Sequence, residues 1–147
     1  MHPGSWLIVL ALAGLPTAAL AASPTETVKA FYDHPGRETE PAALNDFIDP
    51  AKKILDLNDA ILKGGEAGCL DPGLAVDNAD PKSAEIASSL KFAESVSGSE
   101  AKVIVGFTVD QHPHRMEWKL KRVGDDWKIY DLLSVTGEWA LSQFGCE

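Results

Sequence analysis

The 147-residue chain carries 22 acidic and 13 basic side chains, which gives a formal net charge of −9. An acidic surface repels phosphate backbones, and the sequence has no basic stripe to overcome that repulsion, so nucleic-acid binding is disfavoured. The length suits one domain with one hydrophobic core rather than two domains.

The chain begins with an apolar segment that predicts export. An unbroken apolar run covers residues 6–15, followed by Pro16 and the small residues 18–22. This order is typical of a secretory signal cleaved after Ala21 or Ala22, although no Lys or Arg precedes the run. The run is too short for a stable membrane anchor. We therefore expect a periplasmic or secreted protein with a signal peptide, residues 1–22, and a single domain, residues 23–147.

Three helices are predicted in the first half of the domain. Residues 23–26, Ser-Pro-Thr-Glu, form a capping box that starts a helix of about ten residues, which ends before Pro35. Residues 40–48 predict a short second helix. Residues 51–63 predict a third, which ends at Gly64-Gly65. The face of this third helix that we expect to turn inward consists of Ile54, Leu57, Asn58, Ile61 and Leu62.

No periodicity is visible from Glu66 to about Ala84, where Asp, Pro and Gly predict turns. A loop of this length in a small domain is typical of a functional or tethered segment, and Cys69 offers the tether. After the loop the period of the apolar residues changes to two. This alternation predicts an antiparallel series of strands near residues 90–96, 101–109, 115–123 and 127–133, with a break at 111–114 and a tight turn at 124–126.

The order of elements predicts the fold class. Helices followed by an antiparallel meander indicate an α+β domain in which N-terminal helices pack on one face of a curved antiparallel sheet. Trp139, Leu141 and Phe144 predict a short closing segment that carries Cys146 back to the body of the domain.

Cys69 and Cys146 are the two cysteines of the chain. In an oxidising compartment we favour a disulfide between them over two free thiols. Such a bridge would close a loop of about 76 residues and stabilise the fold by on the order of 4 kcal/mol.

The last two strands resemble those of a known superfamily. Residues 117–133, Glu-Trp-Lys-Leu-Lys-Arg-Val-Gly-Asp-Asp-Trp-Lys-Ile-Tyr-Asp-Leu-Leu, resemble the terminal hairpin of nuclear-transport-factor-2-like domains, and residues 25–32 look like their first helix. Within that superfamily the chain is similar to an uncharacterised bacterial exported family, domain of unknown function 3828. The resemblance implies a cone-shaped fold whose mouth can hold a small ligand. Its members include isomerases, cyclases, dehydratases and non-catalytic binders, so the fold alone implies no activity.

Two residues are candidates for proton transfer. Strand parity predicts that Asp131 lies on the face of Trp127 and Ile129, where an apolar surrounding would raise the pKa of its carboxyl as an acid or base requires. The alternative, which we favour, places Asp131 at the sheet edge, paired with a cation or a backbone amide. The hydroxyl of Tyr32 is a candidate pocket group. The alternative is that Tyr32 only packs, as part of the apolar stripe of its helix.

Four aromatic side chains alternate with polar residues in the predicted strands. Aromatic residues at this spacing either line a ligand pocket or form the core, and the core is the more common outcome. The four pocket candidates are Phe92, Phe107, Trp118 and Trp127.

Two segments have residue types that bind metals. Asp110, His112 and His114 could supply three ligands, but no fourth ligand is evident. Asp71, Asp77 and Asp80 lack the spacing of a calcium loop. The sequence therefore predicts no metal site, and it indicates no cofactor.

The function that these observations favour is a non-enzymatic exported domain that binds a small apolar ligand or a protein partner. A specific version is an inhibitor or immunity-type protein facing a cationic partner, because an acidic surface would speed their encounter. The alternative is an enzyme of the isomerase or dehydratase type that uses a pocket carboxylate for proton transfer. A homodimer formed through an exposed sheet face is a third hypothesis.

Overall fold

The computed structural model of the protein describes residues 13–15 and 21–146, so the predicted signal peptide falls largely outside the described residues. Within these ranges the chain forms the helices α1 (Pro24–Asp33), α2 (Ala51–Lys63) and α3 (Ala84–Ser89) and the strands β1 (Lys91–Ser97), β2 (Glu100–Val109), β3 (His112–Val123), β4 (Asp126–Ser134) and β5 (Trp139–Ala140). Short 3₁₀ helices cover Arg37–Thr39, Pro41–Asp46, Leu74–Val76 and Leu141–Gln143. Among the described helices, none has the length and apolar character needed to cross a membrane.

The five strands form one antiparallel sheet in the order β1-β2-β3-β4-β5, curved but not closed into a barrel. The helices pack on one face of this sheet, so the predicted α+β fold class is confirmed. Alternate residues of β2, β3 and β4 turn towards the helices and are fully buried, as the period of two requires. The most enclosed of these are Val103, Val105, Met116, Trp118, Leu120 and Ile129.

Helix α1 begins with the capping box that the sequence predicts. Ser23 Oγ accepts a hydrogen bond from the amide of Glu26 at 3.1 Å, and the Glu26 carboxylate accepts one from the Ser23 amide at 2.9 Å. Two amide groups that a helix start leaves unpaired are thereby satisfied. Val28 and Phe31 bury the apolar face of the helix against the sheet.

Helix α2 has the predicted bounds, and its predicted inward face is right only in part. Asn58 is buried as predicted, but Leu57 and Leu62 are 40% and 45% exposed and Leu55 is buried instead. Asn58 Oδ1 accepts a hydrogen bond from the amide of Leu70 at 3.0 Å, so the following loop packs over this polar position. Apolar periodicity cannot predict which side of the helix a following loop covers.

The segment predicted as the second helix is the 3₁₀ helix Pro41–Asp46 instead of an α-helix. It ends because Phe47 and Ile48 are drawn to the sheet, where the Ile48 amide donates to the Ile129 carbonyl at 2.8 Å. The ring of Phe47 is buried.

The loop after α2 is not wholly structureless, contrary to the prediction. The 3₁₀ helix Leu74–Val76 is buried in the core, and Leu70 is also enclosed. The predicted disulfide between Cys69 and Cys146 is confirmed; it joins positions 77 apart in the chain whose Cα atoms lie 5.6 Å apart. The loop is therefore held at both its disulfide and its apolar turn.

The predicted break at residues 111–114 is misplaced. The turn between β2 and β3 is formed by Asp110 and Gln111, both with left-handed φ values of 48° and 66°. Residues His112 to His114 already belong to β3, where Pro113 lies opposite Thr108. Pro113 is compatible with this place because it is exposed and near the end of the strand.

A β-bulge in β4 reverses the side-chain parity near the end of the strand. Ile129 lies opposite Leu120, but Asp131 lies opposite Lys119, so Tyr130 is the extra residue. The predicted placement of Asp131 on the face of Ile129 is therefore wrong. Leu132 takes the inward position instead and is fully buried.

Candidate ligand-binding site

A pocket opens where the C-terminal end of α1, the 3₁₀ helix Leu74–Val76 and the start of α3 meet. It lies at the end of the sheet where β1 begins, and its volume is about 120 Å³. We call it the Glu38 pocket after its one buried carboxylate. Its walls are mainly apolar: Phe31, Tyr32, Val76, Ile86 and Leu90. Lys82 and Ser83 also line it.

The backbone after α1 places Glu38 inside the domain. The helix ends before Pro35, and Gly36 has a left-handed φ of 87°, a conformation that glycine adopts without steric cost. The chain therefore turns and forms the 3₁₀ helix Arg37–Thr39. Glu38 is only 1% exposed as a result.

One of the two oxygens of the Glu38 carboxylate has a hydrogen-bond partner among the described residues. Its Oε1 accepts a hydrogen bond from the amide of Ala75 at 2.9 Å, while Oε2 is buried and has no hydrogen-bond partner among the described residues. Burial raises the pKa of Glu38 to about 7; the Ala75 amide opposes this, and the like charges of Asp71 and Glu40 add to it. Glu38 therefore titrates near neutral pH.

Tyr32 is held in place by two hydrogen bonds. Its hydroxyl donates to the Ala75 carbonyl at 2.8 Å and accepts from Trp118 Nε1 at 3.0 Å. Burial raises the pKa of Tyr32, with the Trp118 bond acting against this. The hydroxyl stays protonated, and its proton is used in the hydrogen bond to the Ala75 carbonyl. Tyr32 therefore positions the wall of the pocket.

Further carboxylates belong to the segments next to the pocket. The charges of Glu40 and Asp71 act on Glu38, and Asp80 directly precedes the lining residues 81–83. Glu85 accepts hydrogen bonds from the amides of Asp110 and Gln111 at 2.8 and 2.9 Å, which fixes the β2–β3 turn to the start of α3. We call this region the acidic end; its carboxylates are Glu40, Asp71, Asp80, Glu85 and Asp110.

The four aromatic candidates do not line the Glu38 pocket. Trp118 is fully buried, with its ring centroid 5.1 Å from that of Phe31, and the half-buried Phe92 packs edge-on against Tyr32. Phe107 stacks on His114, and Arg122 lies over the Trp127 ring at 5.6 Å. The structure thus places these rings in the core and along the sheet, at separate positions.

The hydrogen-bond partners of Asp131 give it a structural role. Its Oδ1 accepts hydrogen bonds from the amides of Leu132 and Ser142, both at 3.0 Å, and its Oδ2 accepts from the Ser142 hydroxyl at 2.7 Å. These bonds hold the closing 3₁₀ helix Leu141–Gln143 against the edge of the sheet. Asp131 and Tyr32 are not brought together in the Glu38 pocket, and Asp131 does not line it.

The two histidines of β3 also have local partners. His112 Nδ1 lies 2.8 Å from the Asp110 carbonyl, and His114 Nδ1 lies 2.7 Å from Asp77 Oδ2. Asp77 also accepts a hydrogen bond from Trp139 Nε1 at 2.8 Å, which connects the long loop to β5. Within residues 13–15 and 21–146, no group of three or more His, Cys, Asp or Glu residues is arranged to hold a metal ion.

The face of the sheet opposite the helices is a second candidate surface. It carries an ion pair between Lys102 and Glu117 at 3.1 Å, and Lys119 lies opposite Lys102 on the same face. Next to these residues, Tyr130 borders an open groove of about 340 Å³. This is the exposed sheet face through which a homodimer would form under the third hypothesis.

Sequence reasoning missed Glu38. It lies in a polar stretch, Arg37-Glu38-Thr39, between a turn and an alanine-rich segment, and nothing in the pattern separates it from an exposed residue. Its burial depends on the Ala75 amide, which is 37 positions away in the chain. The one available signal was the Pro35-Gly36 turn, which predicts a reversal of the chain.

The open antiparallel sheet with helices on one face also occurs in a solved bacterial complex. A chain of the type VI native effector–immunity complex Tae3–Tai3 from Ralstonia pickettii aligns with 77% of this chain and 95% of its own length, at 21% sequence identity and a TM-score of 0.52. A likeness at this level of identity establishes the fold and nothing further.

A second structure, the phospholipid-binding protein from Ralstonia solanacearum in complex with a phospholipid, aligns with 79% of this chain and 65% of its own length. Its identity is 14% and its TM-score is 0.35, so it carries no argument here. No protein-family model and no curated protein matches the sequence.

Proposed function

We propose that this protein is an exported, non-enzymatic binding domain of the immunity type, whose ligand is a cationic protein. The observation that carries the proposal is the acidic end, where five carboxylates lie near the Glu38 pocket or at the adjoining β2–β3 turn, and a single basic side chain, Lys82, lines the pocket among the described residues. A surface of one sign attracts a partner of the opposite sign and raises the rate of encounter.

The distribution of charge along the chain supports this assignment. Residues 23–90 hold 13 of the 22 acidic side chains but only 6 of the 13 basic ones. Four of those six basic side chains already form ion pairs within the domain, so they do not neutralise the remaining carboxylates. The pairs are Lys29–Asp33, Arg37–Asp46, Lys52–Asp56 and Lys63–Asp59.

The size of the pocket also favours a protein over a small-molecule ligand. Sites for small molecules and cofactors have volumes of about 300–1,000 Å³. The Glu38 pocket, at about 120 Å³, accommodates a single chemical group. The fold shared with a chain of an effector–immunity complex is compatible with a protein partner.

The proposal includes export and ancestry. The apolar leader and the Cys69–Cys146 bridge support an oxidising compartment such as the periplasm. Membership of the nuclear-transport-factor-2-like superfamily is part of the same proposal, supported by residues 25–32 and 117–133. Mass spectrometry of the exported protein tests the first point, because we expect a chain that lacks residues 1–21 or 1–22.

The experiment that tests the function measures binding of the purified domain to purified Tae3 and, separately, to purified Tai3 by biolayer interferometry. We expect one-to-one binding to Tae3, or to the corresponding effector of the producing organism, with an association rate that falls about tenfold between low and high salt. Binding to Tai3 alone would overturn the immunity-type assignment. Failure of every basic candidate to bind at low salt would overturn the protein-partner proposal.

A proton-transfer enzyme is the second candidate function, since the pKa of Glu38 is raised to about 7 in an apolar pocket. The substrate would be limited to a group about the size of benzene, which a cavity of ~150 Å³ admits. Native mass spectrometry of the exported protein distinguishes the two. A co-purifying small molecule that is lost in Glu38→Gln would favour the enzyme, whereas our proposal predicts a bare chain.

A further inference from the structure

We propose that the Glu38 pocket receives the side chain of one lysine of the partner protein. This inference rests on the proposed function, because it takes the ligand to be a cationic protein. It adds the contact through which that partner is recognised. Interfaces commonly concentrate their binding energy in a few side chains inserted into well-fitting pockets.

The free carboxylate oxygen defines the chemistry of the inserted group. Glu38 lines the pocket, and its Oε2 is buried and has no hydrogen-bond partner among the described residues. An unpaired buried acceptor costs free energy that a hydrogen-bond donor would recover. The adjacent Ala75 carbonyl accepts one hydrogen bond, from Tyr32, and retains a second lone pair. At Glu38 the pocket therefore offers acceptors to an incoming donor.

The walls suit the stem of a lysine. Phe31, Val76, Ile86 and Leu90 provide apolar contact for a chain of methylene groups, and about 120 Å³ accommodates one such chain. Arginine fits less well, because its fork binds best to both oxygens of a carboxylate. Oε1 of Glu38 is already occupied by the Ala75 amide, so a compact ammonium group is the better match.

The charges that face Glu38 favour a cation over a neutral donor. Asp71 and Glu40 both act on it as like charges, and the Tyr32 hydroxyl beside it is neutral. Arg37, next in the chain, is directed to Asp46 at 3.0 Å instead. Lys82 is exposed at the pocket and forms no ion pair among the described residues. Among the described residues that line the pocket, it is the one basic group near an incoming ammonium.

The first test uses n-butylammonium, which reproduces the side chain of lysine, with 1-pentanol as the uncharged control of similar shape. Binding is followed by NMR at the Glu38 carboxyl carbon and the Ala75 amide. We expect saturable binding of the amine and not of the alcohol, and an apparent affinity about tenfold weaker at pH 6 than at pH 8, because Glu38 becomes protonated. Tyr32 keeps its proton over this range, because burial raises its pKa.

Two variants provide the controls. Glu38→Gln keeps an acceptor for the Ala75 amide but removes the charge, so we expect it to fold and to lose amine binding. Lys82→Gln removes the opposing charge, and we expect binding several times tighter than in the wild type. Equal binding of 1-pentanol, or unchanged amine binding in Glu38→Gln, would overturn the inference.

The second test separates this inference from the proposed function. In the complex with the cationic partner, Glu38→Gln should weaken binding at pH 8 by at least about tenfold, the effect of one lost buried ion-pair contact. If the partner binds and Glu38→Gln has no effect, the lysine pocket is wrong and the proposed function stands. If no cationic protein binds although n-butylammonium does, the proposed function fails instead.

Discussion

Glu38 combines three properties: it is almost fully buried, one of its carboxylate oxygens has no hydrogen-bond partner among the described residues, and it titrates near neutral pH. Buried carboxylates are normally paired or hydrogen-bonded at both oxygens. The domain retains Glu38 without a complete set of partners, so this residue is where we expect function and stability to be in opposition.

The first prediction concerns how stability depends on pH. Since folding raises the pKa of Glu38 from 4.5 to about 7, its contribution is complete below pH 4.5 and is lost as the pH rises through about 7. The loss amounts to about 3 kcal/mol, at 1.36 kcal/mol per pKa unit. Glu38→Gln should therefore become more stable than the wild type as the pH rises from 4.5 to 8. Urea unfolding of both proteins across this range checks it, and parallel curves would contradict it.

The second prediction concerns Tyr32. Tyr32→Phe removes the hydroxyl that joins the Trp118 indole to the Ala75 carbonyl and leaves both groups buried without a partner. We expect the free energy of unfolding to fall by about 1–3 kcal/mol. Phe92→Leu is a useful control, because it changes the packing against the same ring but no hydrogen bond. A Tyr32→Phe variant as stable as the wild type would show that the network is dispensable.

The third prediction distinguishes a structural from a catalytic Asp131. Asp131→Ala should lower the free energy of unfolding by about 1–3 kcal/mol, because two amides and the Ser142 hydroxyl lose their acceptor. Binding of the partner by the folded variant should be unchanged. Ser142→Ala, which removes one of these bonds, should have a smaller effect. Loss of function in a fully stable Asp131→Asn protein would revive the proton-transfer hypothesis.

At the scale of elements, the sequence predicts those parts that depend on local patterns. The capping box at Ser23 and the bounds of α2 are confirmed because they depend on neighbouring residues. The inward placement of Leu57 and Leu62 on α2 and the parity of β4 are wrong because each depends on a distant contact: the Asn58–Leu70 hydrogen bond, and the bulge opposite Lys119. A β-bulge that inserts one residue into a strand cannot be recognised from the alternation of apolar and polar residues in that strand alone. The pairing with the neighbouring strand must be known.

The candidate site depends on such distant contacts even more strongly. Three segments that are far apart in the chain form the Glu38 pocket, and the Tyr32 wall is connected to both Ala75 and Trp118. Of the sequence candidates, Tyr32 alone lines the pocket. The residue that gives the pocket its chemistry, Glu38, has no sequence signal of its own.

The fourth prediction concerns the disulfide. It holds the loop after α2 and the C-terminal segment together across a separation of 77 positions. In the chain-entropy model, removing a crosslink of this span costs on the order of 4 kcal/mol. The Cys69→Ser/Cys146→Ser double variant should therefore show a lower melting temperature and faster proteolysis of the loop after α2. The wild-type protein, heated with and without a reductant, is the control; melting that is insensitive to reduction would contradict the prediction.

At the scale of the whole molecule, charge is unequally distributed along the chain. The strand-forming segment, residues 91–147, holds 9 acidic and 7 basic side chains and is close to neutral, whereas residues 23–90 supply most of the negative charge. The β3–β4 turn, which includes the exposed Asp125, lies at the end of the sheet opposite the β2–β3 turn. A partner guided by charge should therefore approach the acidic end.

The most direct test of this account is zero-length carboxylate-to-amine crosslinking of the protein with its exported partners, followed by mass spectrometry and repeated with the purified pair. We predict crosslinks from lysines of one cationic protein to Glu40, Asp71 and Asp80, and their loss at high salt. Asp125, equally exposed at the opposite end, is the internal control and should remain unlinked. Crosslinks confined to Asp125 or to Glu100 and Glu117 of the sheet would contradict the central claim that the acidic end is the binding surface.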